Sequence, residues 1–150
     1  MEPTAKPIWR ATPTLGQLNA HHPGTLVELL GIEFTAIGTD SIEASMPVDA
    51  RTRQPFGILH GGASVALAET LGSVGASLTV DLSQALVVGQ EINANHLRSV
   101  REGHVVGLAR PVHLGRRSQV WTIDIRDEQA RLVCVSRLTL AVIDRNGPAR

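Results

Sequence analysis

The stretch His60-Gly61-Gly62-Ala63-Ser64-Val65-Ala66-Leu67-Ala68-Glu69-Thr70-Leu71-Gly72-Ser73-Val74-Gly75-Ala76-Ser77-Leu78 decides how this chain is read. Ala63, Val65, Ala66, Leu67, Ala68, Leu71, Val74 and Ala76 cover nearly the whole circumference of a helix from Gly61 to about Leu78, which marks a buried helix. Gly72 and Gly75 each cost about 1 kcal/mol relative to Ala in a helix interior, and close packing of the helix would explain them. Glu69 is the only charged side chain from Gln54 through Val80, taking His60 as neutral. The stretch is long enough to cross a bilayer, but a central carboxylate, glycines and Ser/Thr residues argue against a membrane span.

Working outward, Asp49 to Leu59 contains Pro55 and Gly57 and reads as a loop. Before it, Ser41 to Val48 alternates, with Ile42, Ala44 and Met46 on one side and Glu43 and Ser45 on the other, the mark of a half-buried strand. Ile32 to Gly38 reads as another strand, joined to it by a turn at Thr39-Asp40. Thr14 to Leu30 holds two short helical candidates broken by His21-His22-Pro23-Gly24, and Gly31 suits a helix stop. Residues 1–14 look like a loose lead-in. After the helix, Leu86 to Leu97, His104 to Leu114, Gln119 to Arg126 and Arg131 to Ile143 read as four strands. Their short connections favour antiparallel neighbours. In the last strand Leu132, Cys134, Leu138, Leu140 and Val142 share a face. Two strands, one long helix and four strands predict an α+β fold, an antiparallel sheet wrapped around a central helix. One long helix leaves part of such a sheet uncovered, which favours a homodimer.

The composition narrows the function classes. A length of 150 residues suits one domain. Fourteen basic and fourteen acidic side chains cancel, giving no electrostatic case for nucleic acid or an anionic membrane as partner. Aromatic residues are 3% and Tyr is absent, which disfavours a stacking platform for single strands. The single cysteine, Cys134, permits no intrachain disulfide and no cysteine-based zinc cage, and its alternation makes it a core residue. Met1 to Arg10 lacks the apolar run of a signal peptide, so the expected location is the cytoplasm. The adjacent His21-His22 pair lacks metal-ligand spacing and reads as solvent-exposed.

The candidate chemistry centres on Glu69. A carboxylate on an apolar helix is costly unless paired or protonated, and burial would raise its pKa toward the range of a base at neutral pH. The plainer alternative is a solvated or ion-paired helix residue. His60-Gly61-Gly62 stands where the free N–H groups of a helix start point outward, a place for an anion or a developing oxyanion. Its plainer alternative is a helix start with unusual dihedrals. Gly61 and Glu69 are eight residues apart, about 12 Å along a helix, so they cannot both touch one reacting carbonyl within one chain. Antiparallel packing of two copies of the helix would bring Glu69 of one to Gly61 of the other. Ser73, four residues after Glu69 on the same face, could hydrogen-bond the carboxylate or a water.

The run from Arg51 to Ser73, with Gln54-Pro55-Phe56-Gly57-Ile58-Leu59-His60-Gly61-Gly62 at its centre, resembles the hotdog-fold acyl-CoA thioesterases. Within them it is similar to the Arthrobacter-type 4-hydroxybenzoyl-CoA thioesterase branch, nearest the bacterial 1,4-dihydroxy-2-naphthoyl-CoA thioesterases of menaquinone synthesis. The likeness continues through Val88 to Ser99 and Leu114 to Trp121, covering roughly residues 25–143, a single hotdog domain after an N-terminal lead-in of residues 1–24. That lead-in is longer than in typical relatives and has no functional reading.

The resemblance implies a hotdog fold, a long helix wrapped by a six-stranded antiparallel sheet. It implies that Glu69 is the catalytic carboxylate, as nucleophile or general base. It further implies that the Gly61 N–H polarises the thioester carbonyl, with Gln54 and His60 as polar partners and Ser73 positioning water or the carboxylate. Gly62 would adjoin the bound thioester. Gly89, His96, Leu97, Arg98 and Ser99, and His113, Leu114, Gly115, Arg116, Arg117 and Ser118, would contact substrate. Of these, Arg98, Arg116 and Arg117 could meet nucleotide phosphates, although Arg116-Arg117 is equally a solvated turn tip. His104 has no such reason to face a ligand. Relatives place Glu and Gln/Gly on opposite subunits and assemble as dimers, usually paired into tetramers. No metal or cofactor is expected, since CoA enters as part of the substrate. The expected reaction is hydrolysis of an acyl-CoA thioester, with an aryl acyl group. The rivals are a fatty acyl-CoA or carrier-protein thioesterase, an enoyl-thioester hydratase, and a non-catalytic acyl-CoA binder.

Overall fold

The computed structural model describes residues 6–20 and 23–147. The sequence pair His21-His22 lies outside the described residues. Two short helices come first, α1 (Leu15–Asn19) and α2 (Leu26–Leu30). Thr25 caps α2, and Gly31 ends it in the left-handed conformation, φ 67°, that the sequence called for. Strands β1 (Glu33–Ile37) and β2 (Ile42–Pro47) lead to the long helix α3 (Gly61–Leu78). Then follow β3 (Ala85–His96), β4 (His104–Leu114), β5 (Ser118–Asp127) and β6 (Leu132–Asp144). All six strands form one antiparallel sheet, and α3 packs across it, so the fold is the expected α+β hotdog arrangement. No helix among the described residues is long and apolar enough to cross a membrane.

The core lies between α3 and the inner face of the sheet. Ile42, Ala44 and Met46 of β2, Trp121, Ile123 and Ile125 of β5, and Cys134, Leu138 and Leu140 of β6 are buried there against Leu67, Ala68 and Leu71. A Cβ on Gly75 would lie 2.9 Å from the Trp121 ring, and one on Gly72 would press on Leu138. The two interior glycines thus let the helix approach the sheet.

Three expectations change. First, the strand order is β1-β2-β4-β5-β6-β3, so β3 and β4 are not neighbours despite their short link. The backbone of β6 is already shared between β5 and β3. The link at 97–103 therefore crosses the end of the sheet, about 14 Å for three strand spacings, which seven extended residues can span. The Leu97 and Arg98 N–H groups donate to Val133 O, and Leu59 N–H donates to Val100 O, so the crossing segment is held beside the start of α3. Second, α3 is not buried all round. Ala63, Ser64, Leu67, Ala68, Leu71, Gly72, Gly75 and Ala76 are buried, whereas Val65, Ala66, Glu69, Thr70 and Ser73 stay half-buried in the single chain. Third, the lead-in is partly docked. Trp9 stacks on Trp121 with ring centroids 6.4 Å apart and donates its Nε1–H to Gly38 O. Ile8 N–H and Arg10 N–H donate to Thr39 O and Leu78 O.

The two sheet edges differ. At β1, the Asn19 side chain pairs with both backbone groups of Phe34, closing part of that edge. At β3 the outer edge carries no strand among the described residues, and Leu86 and Val88 are exposed. A long edge strand with exposed apolar side chains is a template for another strand.

Candidate active site

The loop before α3 turns at Gly57 (φ 75°), and its backbone is closed by Gln54 N–H donating to Ile58 O and Gly57 N–H to Gln54 O. The Gln54 Oε1 accepts from Phe56 N–H. That fixes the oxygen end of the amide on the loop and leaves its NH2 end without a partner among the described residues.

His60 is the N-cap of α3, and its Nδ1 accepts from Gly62 N–H at 2.8 Å. The neutral ring therefore carries its hydrogen on Nε2. This cap decides which helix-start amide is free. Gly62 N–H is held by the ring, Ala63 and Ser64 N–H both donate to His60 O, and Gly61 N–H has no partner among the described residues. A Cβ at Gly61 would lie 2.7 Å from His96 Nε2, so a side chain there would push the exposed His96 ring away from the amide.

These groups share one cleft of about 360 Å³, lined by Gln54, Ile58, Leu59, Gly61, Ser64, His96 to Ser99 and Val133. The volume suits a small-molecule group. It brings together Gln54, Gly61, His96, Leu97, Arg98 and Ser99 as one set. His60 adjoins it as the cap. A larger open hollow of about 430 Å³, bordered by Asn19, Glu28 and Glu33, contains none of the sequence-predicted residues.

Glu69 stands elsewhere, two turns along α3. Its carboxylate lies against Gly89 of β3, where a Cβ would collide with Oε1. The β3–β6 register slips between Gly89 and Glu91, so the strand bulges at this point. Ser73 Oγ donates to Glu69 Oε1 at 3.4 Å. Burial pushes the Glu69 carboxyl above its ordinary value of 4.5, and the Ser73 hydrogen bond offsets part of that. A half-buried carboxylate so tuned can take a proton or attack a carbonyl.

The third group, His113 to Ser118, forms the β4–β5 turn, where Gly115 N–H donates to Ser118 O. The next residue, Gln119, donates to Thr79 Oγ1 at the far end of α3. An 18-residue helix is about 27 Å long, so this turn and the Gly61 cleft sit at opposite ends of the chain. Arg116 and Arg117 are exposed there. Within one chain the predicted residues thus fall into three clusters strung along α3. Sequence reasoning passed over Ser64, which the helix-start spacing places one turn below Gly61.

Comparison with known proteins agrees with this architecture. The sequence model of the Thioesterase superfamily matches residues 56–134. The 1,4-dihydroxy-2-naphthoyl-CoA hydrolase of Escherichia coli is 57% identical over 136 residues, 91% of this chain and 99% of that protein. The proofreading thioesterase EntH of Cronobacter turicensis is 59% identical over 136 residues, 91% of this chain and 98% of its own. The Pseudomonas aeruginosa protein PA1618 is 53% identical over 142 residues, 95% of this chain and 98% of that protein. The crystal structure of a mutant thioesterase PA1618 superimposes with a TM-score of 0.90 at 52% identity, covering 91% of this chain and 99% of that one. A family match over more than half the chain, with relatives this similar along nearly their whole lengths, establishes that the chain belongs to the thioesterase superfamily and is a thioester hydrolase.

Proposed function

We propose that the chain hydrolyses an aryl-CoA thioester to the free acid and CoA, in a site shared between two copies of the chain. The observation that carries the shared site is the split along α3. Gly61, with its free N–H, and Glu69 stand eight residues apart on one rigid helix, about 12 Å of rise, too far for both to reach one carbonyl. Pairing two β3 edges antiparallel would set two α3 helices side by side in opposite directions. Glu69 of one copy would then face the Gly61 cleft of the other. The half-buried stripe around Glu69 and the exposed Leu86 and Val88 support that arrangement. It would also bring the Arg116–Arg117 turn of a second copy within range of CoA phosphates. A further pairing of dimers is part of the same reading.

In this mechanism the thioester carbonyl oxygen accepts from Gly61 N–H, with the Gln54 NH2 beside it. A preorganised donor of this kind contributes around 10²–10³ in rate. Glu69 either attacks the carbonyl carbon, expelling CoA thiolate and leaving a mixed anhydride that water opens, or takes a proton from the water that attacks. Ser73 holds the carboxylate. No metal enters these steps. The aryl acyl group draws support from the E. coli relative, whose name specifies a dihydroxynaphthoyl thioester.

Two experiments test the reading. Thiol release is measured from aryl-CoA, fatty acyl-CoA and carrier-protein thioesters, and preference for the latter two would replace the substrate class. Chains bearing Glu69→Gln and Gln54→Ala, each inactive alone, are then co-refolded. Recovered activity is the expected result, because one of the two sites in a mixed dimer has both residues intact. No recovery would put the site within one chain.

A further inference from the structure

Ser64 follows Gly61 by one helical turn and lines the same cleft, yet it is only 1% exposed. Its hydroxyl makes no hydrogen bond with any described residue. Thr70 and Ser77 of the same helix instead donate to Ala66 O and Ser73 O, and the capping Thr79 to Ala76 O. Among the described residues, no side-chain polar atom sealed from solvent lacks a partner. The unpartnered Ser64 oxygen therefore opens onto the cleft and not into the core. The cleft wall is mixed, with the apolar Ile58, Leu59, Leu97 and Val133 beside the polar Gln54, His96, Arg98 and Ser99, none of which hydrogen-bonds the Ser64 hydroxyl. A hydroxyl held without a partner among such neighbours favours a ligand that brings an oxygen to it.

The position of that oxygen follows from helix geometry. Three residues advance about 4.5 Å along the axis, and a helical side chain leans back over the preceding turn. The Ser64 hydroxyl thus lies beside the Gly61 amide, less than one turn away. A ligand oxygen bound to Ser64 must sit close to the oxygen bound at Gly61. On an aromatic acyl group that describes a substituent on the ring carbon next to the one bearing the thioester. A hydroxyl across the ring points away from both. Resting on the thioester-hydrolase reading above, we propose that Ser64 is a specificity-determining residue that hydrogen-bonds the ortho-hydroxyl of an aroyl thioester whose carbonyl is held by Gly61. The same hydroxyl selects against acyl groups lacking that oxygen, because it is then left desolvated and unpaired.

The test compares kcat/KM for 2-hydroxybenzoyl-CoA, 4-hydroxybenzoyl-CoA and benzoyl-CoA, read by thiol release, in wild type and Ser64→Ala. The ratio of the 2-hydroxy to the unsubstituted substrate is expected to fall about tenfold in the variant, the effect of one lost hydrogen bond. The ratio of the 4-hydroxy to the unsubstituted substrate should hold. Ser64→Cys, with similar size and a weaker donor, should fall between and serves as the second variant. Equal effects on all three substrates would make Ser64 structural and overturn the proposal. So would a ratio that does not move. A wild-type chain releasing thiol from none of the three would overturn the aroyl reading itself, whereas an unmoved ratio with active wild type overturns only the role of Ser64.

Discussion

Gly89→Ala isolates the placement of the Glu69 carboxylate. Gly89 has no unusual φ, so alanine fits the backbone and can stabilise it by about 0.4–1 kcal/mol. The added Cβ collides with Glu69 Oε1, the mobile end of a side chain, so the fold can yield there cheaply. Restoring ordinary van der Waals separation moves the oxygen by about 1 Å. A misplacement of that size costs about 10²-fold in rate, or about 2.7 kcal/mol at 1.36 kcal/mol per factor of ten. The assay is thiol release at saturating aryl-CoA, with a melting scan of the same sample. The expected result is kcat down about 10²-fold and a melting temperature within about 4 °C of wild type. Gly72→Ala supplies the contrast, since its Cβ presses on Leu138 in the core. Overpacking there should cost about 1–3 kcal/mol of stability with kcat largely kept. A Gly89→Ala enzyme with kcat within about threefold of wild type would refute the reasoning, because a carboxylate so easily displaced cannot be the reacting group.

Glu69→Gln should lower kcat by about 10²-fold or more on general-base magnitudes while the fold persists. In the wild type, activity should fall on the acid side at a pH above the ordinary glutamate value of 4.5, because burial holds the carboxyl protonated longer. The linkage runs the same way. A folded-state value raised above the unfolded one gives stability that is present in acid and is lost as pH rises through the folded value, so Glu69→Gln should gain stability over wild type at neutral pH and lose that advantage in acid, as read by denaturant titration. His60→Ala removes the cap from α3 and should cost about 0.5–2 kcal/mol, with His60→Ser recovering the melting temperature but not the full activity. Replacing Arg116 and Arg117 by Ala should raise KM for CoA thioesters with little change in kcat, and the effect should shrink at high salt, since both side chains are exposed.

Much of this molecule was legible along the chain. The bounds of α3, the Gly31 stop, the inward faces of β2 and β6, and the isolation of Glu69 all follow from periodicity, punctuation and charge within one segment. The 12 Å separation of Gly61 and Glu69 also needed only the helical rise. Other features required distant residues to meet. The edge position of β3 depends on β6 having its other side taken by β5, which no local pattern records. The lead-in read as loose because Trp9 finds its partner, Trp121, more than a hundred residues away. Gly89 shows its use only once the Glu69 carboxylate is seen to occupy the space a side chain would fill. The choice of Gly61 over Gly62 as the free amide rests on where the His60 ring turns. Sequence fixes what each segment can form, because backbone geometry and side-chain period act over a few residues. Which groups remain unpaired, and therefore able to do chemistry, is decided only when the packed chain has satisfied all the others.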